Sequence, residues 1–486
     1  MSAIGIDLGT SGVKAVLLDE AGAVRAEAAA GLTVSHPHPL WSEQAPEDWW
    51  AATEAAMAAL GAEADLGGVR GIGLAGQMHG AVLLDGANRV LRPAILWNDG
   101  RSAAECAALD PLARRIAGNL AMPGFTAPKL LWVRKHEPDV FAKTARVLLP
   151  KDWLRLRMTG EAVSDLSDAS GTLWLDVAER RWSAELLAAS GLSLRQMPGL
   201  AEGTAPTGTL RRDLARAWGV GPATVVAGGG GDNAAAAIGL GCIADGEAFL
   251  SLGTSGVVFV CDERFRPAPE RAVHAFCHCL PSMWHRMAVS LAAAAALTWL
   301  AGVSGAGSES ALLEELERAG AAAARGPVFL PYLAGERTPH NDAAAAGVFF
   351  GLESGTSRAD LTRAVLEGVA FALADGLDVL EEGGGRIAAL SVTGGGARSA
   401  LWGRILAASL GRRLVYHAGG EIGPALGAAR LGRIAAGDGT VAEICRPPAV
   451  ARIEEPDEAL GESLRRRRMM FRRLYPDLRE AFAARL

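Results

Sequence analysis

LGTSGV, residues Leu8–Val13, recurs unchanged at Leu252–Val257, half of a 486-residue chain further on. The settings match as well. The apolar run Ala3–Ile6 precedes the first copy and ends on Asp7; Ala248–Leu250 precedes the second and ends on Ser251. Lys14–Glu20 follows one copy and Val258–Glu263 the other. Each copy reads as strand, glycine-rich turn, strand and acidic end. An identical hexamer at matched points of two halves predicts a duplicated domain, each half opening on the same hairpin.

The composition of the turn predicts its use. Gly9 and Gly253 let the backbone bend sharply and approach a ligand. Thr10, Ser11, Thr254 and Ser255 add hydroxyls, and exposed N–H groups in such turns form concavities that hold anions. A single GTSG would read as no more than a hairpin turn. Two of them predict a grip on a polyphosphate from both sides.

Half the residues are hydrophobic, and the length exceeds what one core holds. Two domains are expected, at 1–243 and 244–486. A net charge of −6 argues against a nucleic-acid footprint. The six cysteines are scattered without a CxxC pair, which predicts reduced thiols and a cytoplasmic setting. The N-terminus enters a strand directly, so no secretory signal is expected. Met287–Ser308 carries no charge but is built mostly of Ala, Gly, Ser and Thr, and is read as a buried helix rather than a membrane span. Short apolar runs alternate with helical stretches, which predicts an α/β fold with mixed sheets. The arginine-rich stretch Leu464–Tyr475 predicts an amphipathic terminal helix with a solvated basic face, expected to dock on the N-terminal half.

The chain contains no Gly-Lys dipeptide, which excludes a Walker A loop. GxGxxG at Gly71–Gly76 falls inside a predicted strand, so it is not read as a dinucleotide loop. Three other glycine-rich turns remain: Gly228–Asn233, Thr393–Ser399 and Glu421–Ala429. The first two follow strands and precede Ala-rich helices, a setting for an anion at a helix N-terminus. Asp232 closes the first turn and reads either as a cap or as a base toward a bound hydroxyl. Asp7 sits at the mouth of the first hairpin, where a carboxylate suits Mg²⁺ held through water. Lys14 follows on the return strand, placed to face phosphates. His79, between glycines at a strand end, is read as a pocket position whose imidazole can bond a hydroxyl, rather than as a satisfied core histidine. Trp97, Asn98, Asp99 and Arg101 read equally as pocket lining or a structural ion pair. Glu336 and Arg337 lie in a loop that either approaches the phosphates or joins the domains. The cluster His274, Cys277, His278, Cys279 and His285 alternates along a strand, which argues against zinc.

The hairpin DLGTSGVK, its copy SLGTSG, the turn TGGGAR and the segment GPALGAA resemble the actin/hexokinase/Hsp70 ATPase superfamily. GQMHG (Gly76–Gly80), WNDGR (Trp97–Arg101), PKLLW (Pro128–Trp132), KDWLRLRMTG (Lys151–Gly160), SDASGTLWLD (Ser167–Asp176), GGGDN and PYLAGERTPHND (Pro331–Asp342) are similar, within it, to the FGGY carbohydrate kinases. The resemblance covers Gly5 to about Tyr475. It implies two duplicated ribonuclease H-like domains around a central cleft, the first sugar-binding and the second nucleotide-binding. It implies transfer from ATP, with Mg²⁺, to a ketopentose, D-xylulose foremost, with Asp232 as catalytic base and Asp7 required. Gln77, Met78, His79, Trp97, Asn98, Asp232 and Asn233 would meet the sugar. Gly9, Thr10, Ser11, Lys14, Gly253, Thr254, Ser255, Gly394, Gly395, Gly396 and Ser399 would meet the nucleotide. The Ala-rich Ala292–Leu300 departs from many relatives near those contacts. A kinase for ribulose, glycerol, gluconate or a sugar alcohol is the alternative, and outside the class a nonenzymatic ATP-binding protein. The expected partners are a small sugar and ATP, with a homodimer left open and no nucleic acid or membrane.

Overall fold

The computed structural model describes residues 1–320, 326–418 and 423–485. Glu421 and Ile422 of the third glycine-rich turn lie outside these residues. Both copies of the hexamer close hairpins. Ser2–Leu8 (β1) pairs antiparallel with Gly12–Leu18 (β2), and Ala248–Leu252 (β7) with Gly256–Asp262 (β8).

Each hairpin nucleates one sheet. In the first, β2 continues to Val24–Gly31 (β3). On the other side β1 lies parallel to Val69–Gly76 (β4), followed by Val225–Ala227 (β6) and the antiparallel Pro206–Thr209 (β5). In the second sheet, β8 continues to Trp284–Ser290 (β10) and then His274–Cys277 (β9). On the other side β7 lies parallel to Ala389–Thr393 (β11), then Arg413–His417 (β12), then antiparallel Val450–Glu454 (β13). The spatial orders 3-2-1-4-6-5 and 10-8-7-11-12-13 agree in direction at every position, but the second sheet adds β9 at its edge, and its outer strand β13 follows β12 in the chain where β5 precedes β6. The duplication read from six residues is therefore a duplication of the sheet's centre, with its edges rearranged.

The helices match too. Pro46–Glu63 (α1) begins with proline at its first turn, beside Glu47 and Asp48, and packs on β2 and β3. Its counterpart Arg358–Glu382 (α8) is started by a Ser357–Asp360 capping box and packs on β8 and β10. Asp232–Leu240 (α5) follows β6, and Gly423–Ala435 (α10) follows β12. These two corresponding helices cross, backbone against backbone. A Cβ on Gly239 would lie 2.2 Å from the Gly423 carbonyl oxygen, and one on Gly427 1.8 Å from that of Ala235.

The GxGxxG run belongs to β4, as its placement predicted. Its glycines make room for α10: a Cβ on Gly71 would stand 2.1 Å from the Gly432 oxygen, and one on Gly73 1.7 Å from that of Ala428.

Two expectations are corrected. Met287–Ser290 is the end of β10, and the helix from that uncharged stretch is only Ala294–Val303 (α6). Among the described residues, no helix is long and apolar enough to cross a membrane. The terminal helix Glu458–Ala484 (α11) does not return to the N-terminal half. Leu464, Phe471 and Leu474 join the core of the second half, and Arg467 and Arg468 pair with Glu367 and Asp375 on α8. The arginines read as a solvated face are thus partly spent on buried carboxylates.

Candidate active site

Asp7 is the penultimate residue of β1, directly across from Lys14 on β2. Its Oδ1 is buried without a hydrogen-bond donor. Burial, reinforced by the Asp232 carboxylate and opposed by Lys14, pushes its carboxyl up to about 7. Lys14 also reaches Glu27 on β3, at 3.1 Å. Two carboxylates thus share one region, and an oxygen short of a donor fits a cation. No group of three or more His, Cys, Asp or Glu side chains able to cage a metal occurs among the described residues.

Asp232 is the first residue of α5; the cap position belongs to Gly231. Its Oδ1 accepts from the Asn233 N–H at 2.7 Å and from Asn233 Nδ2 at 2.9 Å. Oδ2 has no protein donor among the described residues. Burial raises its pKa above the ordinary carboxylate value, against the two Asn233 bonds.

Beside it stands the Met78–His79 pair. A Cβ on Gly231 would lie 2.8 Å from Met78 Sδ. His79 adopts a left-handed backbone, φ 68°, held by three contacts to one residue. Buried Lys129 donates to its carbonyl at 2.9 Å and Thr126 Oγ1 donates at 3.1 Å, while His79 Nδ1 lies 2.7 Å from the Gly171 carbonyl. That carbonyl can only accept, so Nδ1 carries the proton and Nε2 is left as an acceptor. Burial, with Lys129 and Arg337 adding to it, lowers the imidazole to about 3. Gly171 must be glycine, because a Cβ there would lie 2.6 Å from the imidazole. Phe125 meets the ring edge-on at 4.7 Å.

The second half reaches this region as well. Arg337 Nη1 stands 3.4 Å from His274 Nε2, and His274 stacks on Phe276 and meets Phe125 edge-on. The adjacent Glu336 accepts from Ser290 Oγ, Leu291 N and Arg337 N, which fixes the loop. Beyond the two readings left open for this loop, Arg337 is found facing His274 and His79.

Gln77 is 3% exposed with both amide ends engaged. Its Oε1 accepts from Thr10 Oγ1 at 2.9 Å, and its Nε2 donates to Gln44 Oε1 at 3.0 Å. Gln44 in turn donates to the Thr10 carbonyl. Trp97 Nε1 donates to Thr10 Oγ1 at 3.0 Å, and its ring is 46% exposed. Trp97 and Asn98 are open to solvent, whereas Asp99 and Arg101 form the buried ion pair, with Arg101 stacked 3.6 Å over Trp41. WNDGR is thus surface and structure in alternation.

The second hairpin is built into the start of α6. The Gly253 carbonyl accepts from Ala294 N and that of Thr254 from Ala293 N, each at 2.9 Å. Gly394, at φ 91°, lies so close to the end of β7 that a Cβ would sit 2.7 Å from the Leu252 oxygen. Gly395, Gly396, Ser399, Ala294, Leu297 and Thr298 line a cavity of about 610 Å³, closed on the far side by Glu309–Ala319 (α7). Ser399 also caps Ala400–Leu410 (α9) through Trp402 N. The Ala-rich departure is therefore at the wall of this cavity. Glu309, Glu314 and Glu317 line it too, a contribution for which an ordinary amphipathic helix leaves no sign in the sequence. Lys129, Phe125 and Gly171 were equally hidden, although a lysine inside the apolar PKLLW was a signal.

A pair of matched α/β halves, one presenting a carboxylate with one oxygen unbonded near a neutral histidine and the other a glycine-walled cavity, suits a two-lobed sugar phosphotransferase. Residues 2–239 match the N-terminal domain, and 248–436 the C-terminal domain, of the FGGY family of carbohydrate kinases; the chain belongs to that family. It is 55% identical to the xylulose kinase of Escherichia coli (strain K12), over 98% of this chain and 99% of that one. The crystal structure of a "xyloylose kinase" from Brucella ovis, 50% identical, superposes with a TM-score of 0.96 over 99% of this chain and all of that one. A gluconate kinase from Lactobacillus acidophilus, 23% identical, shares the fold at a TM-score of 0.93, over all of this chain and 99% of that one.

Proposed function

We propose that this protein transfers the γ-phosphoryl group of ATP to D-xylulose, giving D-xylulose 5-phosphate and ADP. The observation that carries the mechanism is Asp232, with one oxygen lacking a protein donor among the described residues, next to Gly231, whose α-carbon packs on Met78 beside the neutral His79. Asp232 takes the proton of the terminal hydroxyl as that oxygen bonds to the γ-phosphorus and the bond to the β–γ bridging oxygen breaks. His79 Nε2 accepts from a sugar hydroxyl and Arg337 donates to sugar oxygens from the other half, so a bound ketose bridges the lobes. Thr254 and the N–H groups of the second hairpin meet the phosphates, and the cavity walled by Gly395 and Leu297 takes the adenosine. Magnesium bound with the nucleotide offsets phosphate charge, and Asp7 is the group that would hold its water shell. Asp99 and Arg101 hold the pocket wall. Six free cysteines, five of them buried, suit a reducing cytoplasm.

Family membership does not settle the acceptor. A coupled ADP-release assay over D-xylulose, D-ribulose, glycerol, gluconate and xylitol checks it. The highest kcat/KM is expected for D-xylulose; a higher value for any other overturns the assignment. Asp232→Ala is expected to abolish transfer while ATP still binds.

A further inference from the structure

The reaction as described leaves unused a cluster of charges beneath the Asp232 loop. Pro150–Thr159 (α3) supplies Lys151, Asp152 and Arg155; Asp165 caps Leu166–Ser170 (α4), which supplies Asp168. All five are fully buried. Lys151 Nζ stands 2.5 Å from Asp152 Oδ1, 2.7 Å from Asp165 Oδ1 and 3.2 Å from Asp168 Oδ2. Burying five ionisable groups is costly, with burial driving the Asp168 carboxyl well above the ordinary carboxylate range, and apolar side chains of similar volume would hold α3 and α4 together at least as well. Core cohesion does not explain them.

Two connections lead from the cluster to the loop that ends on Asp232. Arg155 forks onto the carbonyls of Ala227 and Gly228, the latter at 2.5 Å. These are the last residue of β6 and the first of the loop. Asp165 Oδ2 accepts from the backbone N–H of Ser167 at 2.7 Å and also from its hydroxyl. Ser167 Oγ in turn accepts from Gly231 N at 3.1 Å, the residue before Asp232. The loop is thus held at its first and its penultimate residue from one rigid body. Close packing bars the other directions: a Cβ on Gly228 would lie 2.1 Å from the Glu202 oxygen, and one on Gly230 2.3 Å from Cys279 Sγ.

We infer that Arg155 and Ser167 are positioning residues that aim the Asp232 carboxylate, with the Lys151–Asp165 pair as their anchor. The inference rests on Asp232 being the base. The hydrogen bonds from Arg155 and Ser167 fix both ends of the loop directionally, as apolar packing would not, and small misplacements of a reacting group are expensive in rate.

The test uses the full chain. Ser167→Ala removes the acceptor for Gly231 N. Arg155→Lys keeps the charge that balances the cluster and loses the fork. Asp232→Asn is measured alongside. Each is assayed for kcat per nucleotide-binding site, KM for ATP and thermal midpoint. Both positioning variants are expected to lose about tenfold or more in kcat, with KM for ATP within about twofold and a single cooperative melt. A protein that was merely loosened would instead show fewer nucleotide sites and native turnover at each. If both variants, or Ser167→Ala alone should Arg155→Lys not fold, keep native kcat while Asp232→Asn is inactive, the inference is overturned and the base assignment stands. If Asp232→Asn also keeps native kcat, both are overturned.

Discussion

The two LGTSGV hairpins have one sequence and two registers. In the first, Leu8 pairs with Val13 and the Gly9 N–H bonds to the Gly12 carbonyl, leaving Thr10 and Ser11 as the loop. In the second, Leu252 pairs with Gly256 and the Gly253 N–H bonds to Ser255, one residue tighter. A slip of one residue exchanges the faces of the return strand. Val13 is buried and Lys14 half-exposed, whereas Val257 is half-exposed and Val258 buried. The copies also differ in what flanks them: Asp7 and Lys14 oppose each other in one, Ser251 and Val257 in the other. Identical turns thus carry different chemistry because the chain around them diverged, the first half keeping the charges and the second the neutral walls.

The same divergence shows where the halves meet. α10 of the second half lies on β1 and β4 of the first, over the register pair Gly5–Gly73. The matching pair in the second sheet is Phe249–Ser391, and Phe249 shares a core with Ala236, Ala237 and Leu240 of α5. One sheet is pared to backbone to seat the foreign helix; the other fills the gap with a ring. Phe249→Ala should therefore cost the most of any change at this contact, about 3–5 kcal/mol from lost burial and a cavity. Gly73→Ala should cost about 1–3 kcal/mol by overpacking against the Ala428 carbonyl. Denaturant unfolding reads both. Equal tolerance of Ala at Gly73 and at Phe249 would mean that the helices are not seated differently.

Charge asymmetry is tested at the matched positions before the turns. If Asp7 holds the metal's water shell as proposed, Asp7→Asn should lower kcat about 10- to 100-fold, the effect of losing an outer-sphere metal partner. Ser251→Ala should stay within about threefold by the same measure. A reversal of these effects would place the metal at the second hairpin.

How much of this was open to a reader of the chain depends on range. The repeat and the strand character of Gly71–Gly76 were legible because both lie in consecutive residues. The reason for those glycines was not, since it is a helix more than 350 residues away in sequence. The slipped register was invisible in principle: the hexamers are identical, and the tighter turn is set by α6, whose first N–H groups take the Gly253 and Thr254 carbonyls. Asp232 was legible as a carboxylate at a helix start, but its partial burial and its freedom from a capping role required the fold.

That burial gives turnover a sign in pH. The base role proposed for Asp232 requires its ionised form, and its pKa lies above the ordinary carboxylate value. Turnover should be full well above that pKa and fall about tenfold per unit below it, the acid limb lying higher than an exposed aspartate would give. A kcat profile flat down to pH 4 would remove Asp232 from the base role.

The smallest effect separates the two threonines that the repeat makes equivalent. Thr10 Oγ1 is spent within the protein, donating to Gln77 and accepting from Trp97. Thr254 is exposed, and no protein hydrogen bond of its hydroxyl is seen among the described residues. Thr10→Val should cost about 1 kcal/mol of stability, the worth of a hydrogen bond lost from a closed network. Thr254→Val should leave stability unchanged and raise KM for ATP a few-fold, since its hydroxyl is assigned to the phosphates. Thermal melts and ATP titrations on the two variants distinguish them. If both substitutions weaken ATP binding and neither alters the melt, the hairpins act alike and the register difference has no functional weight.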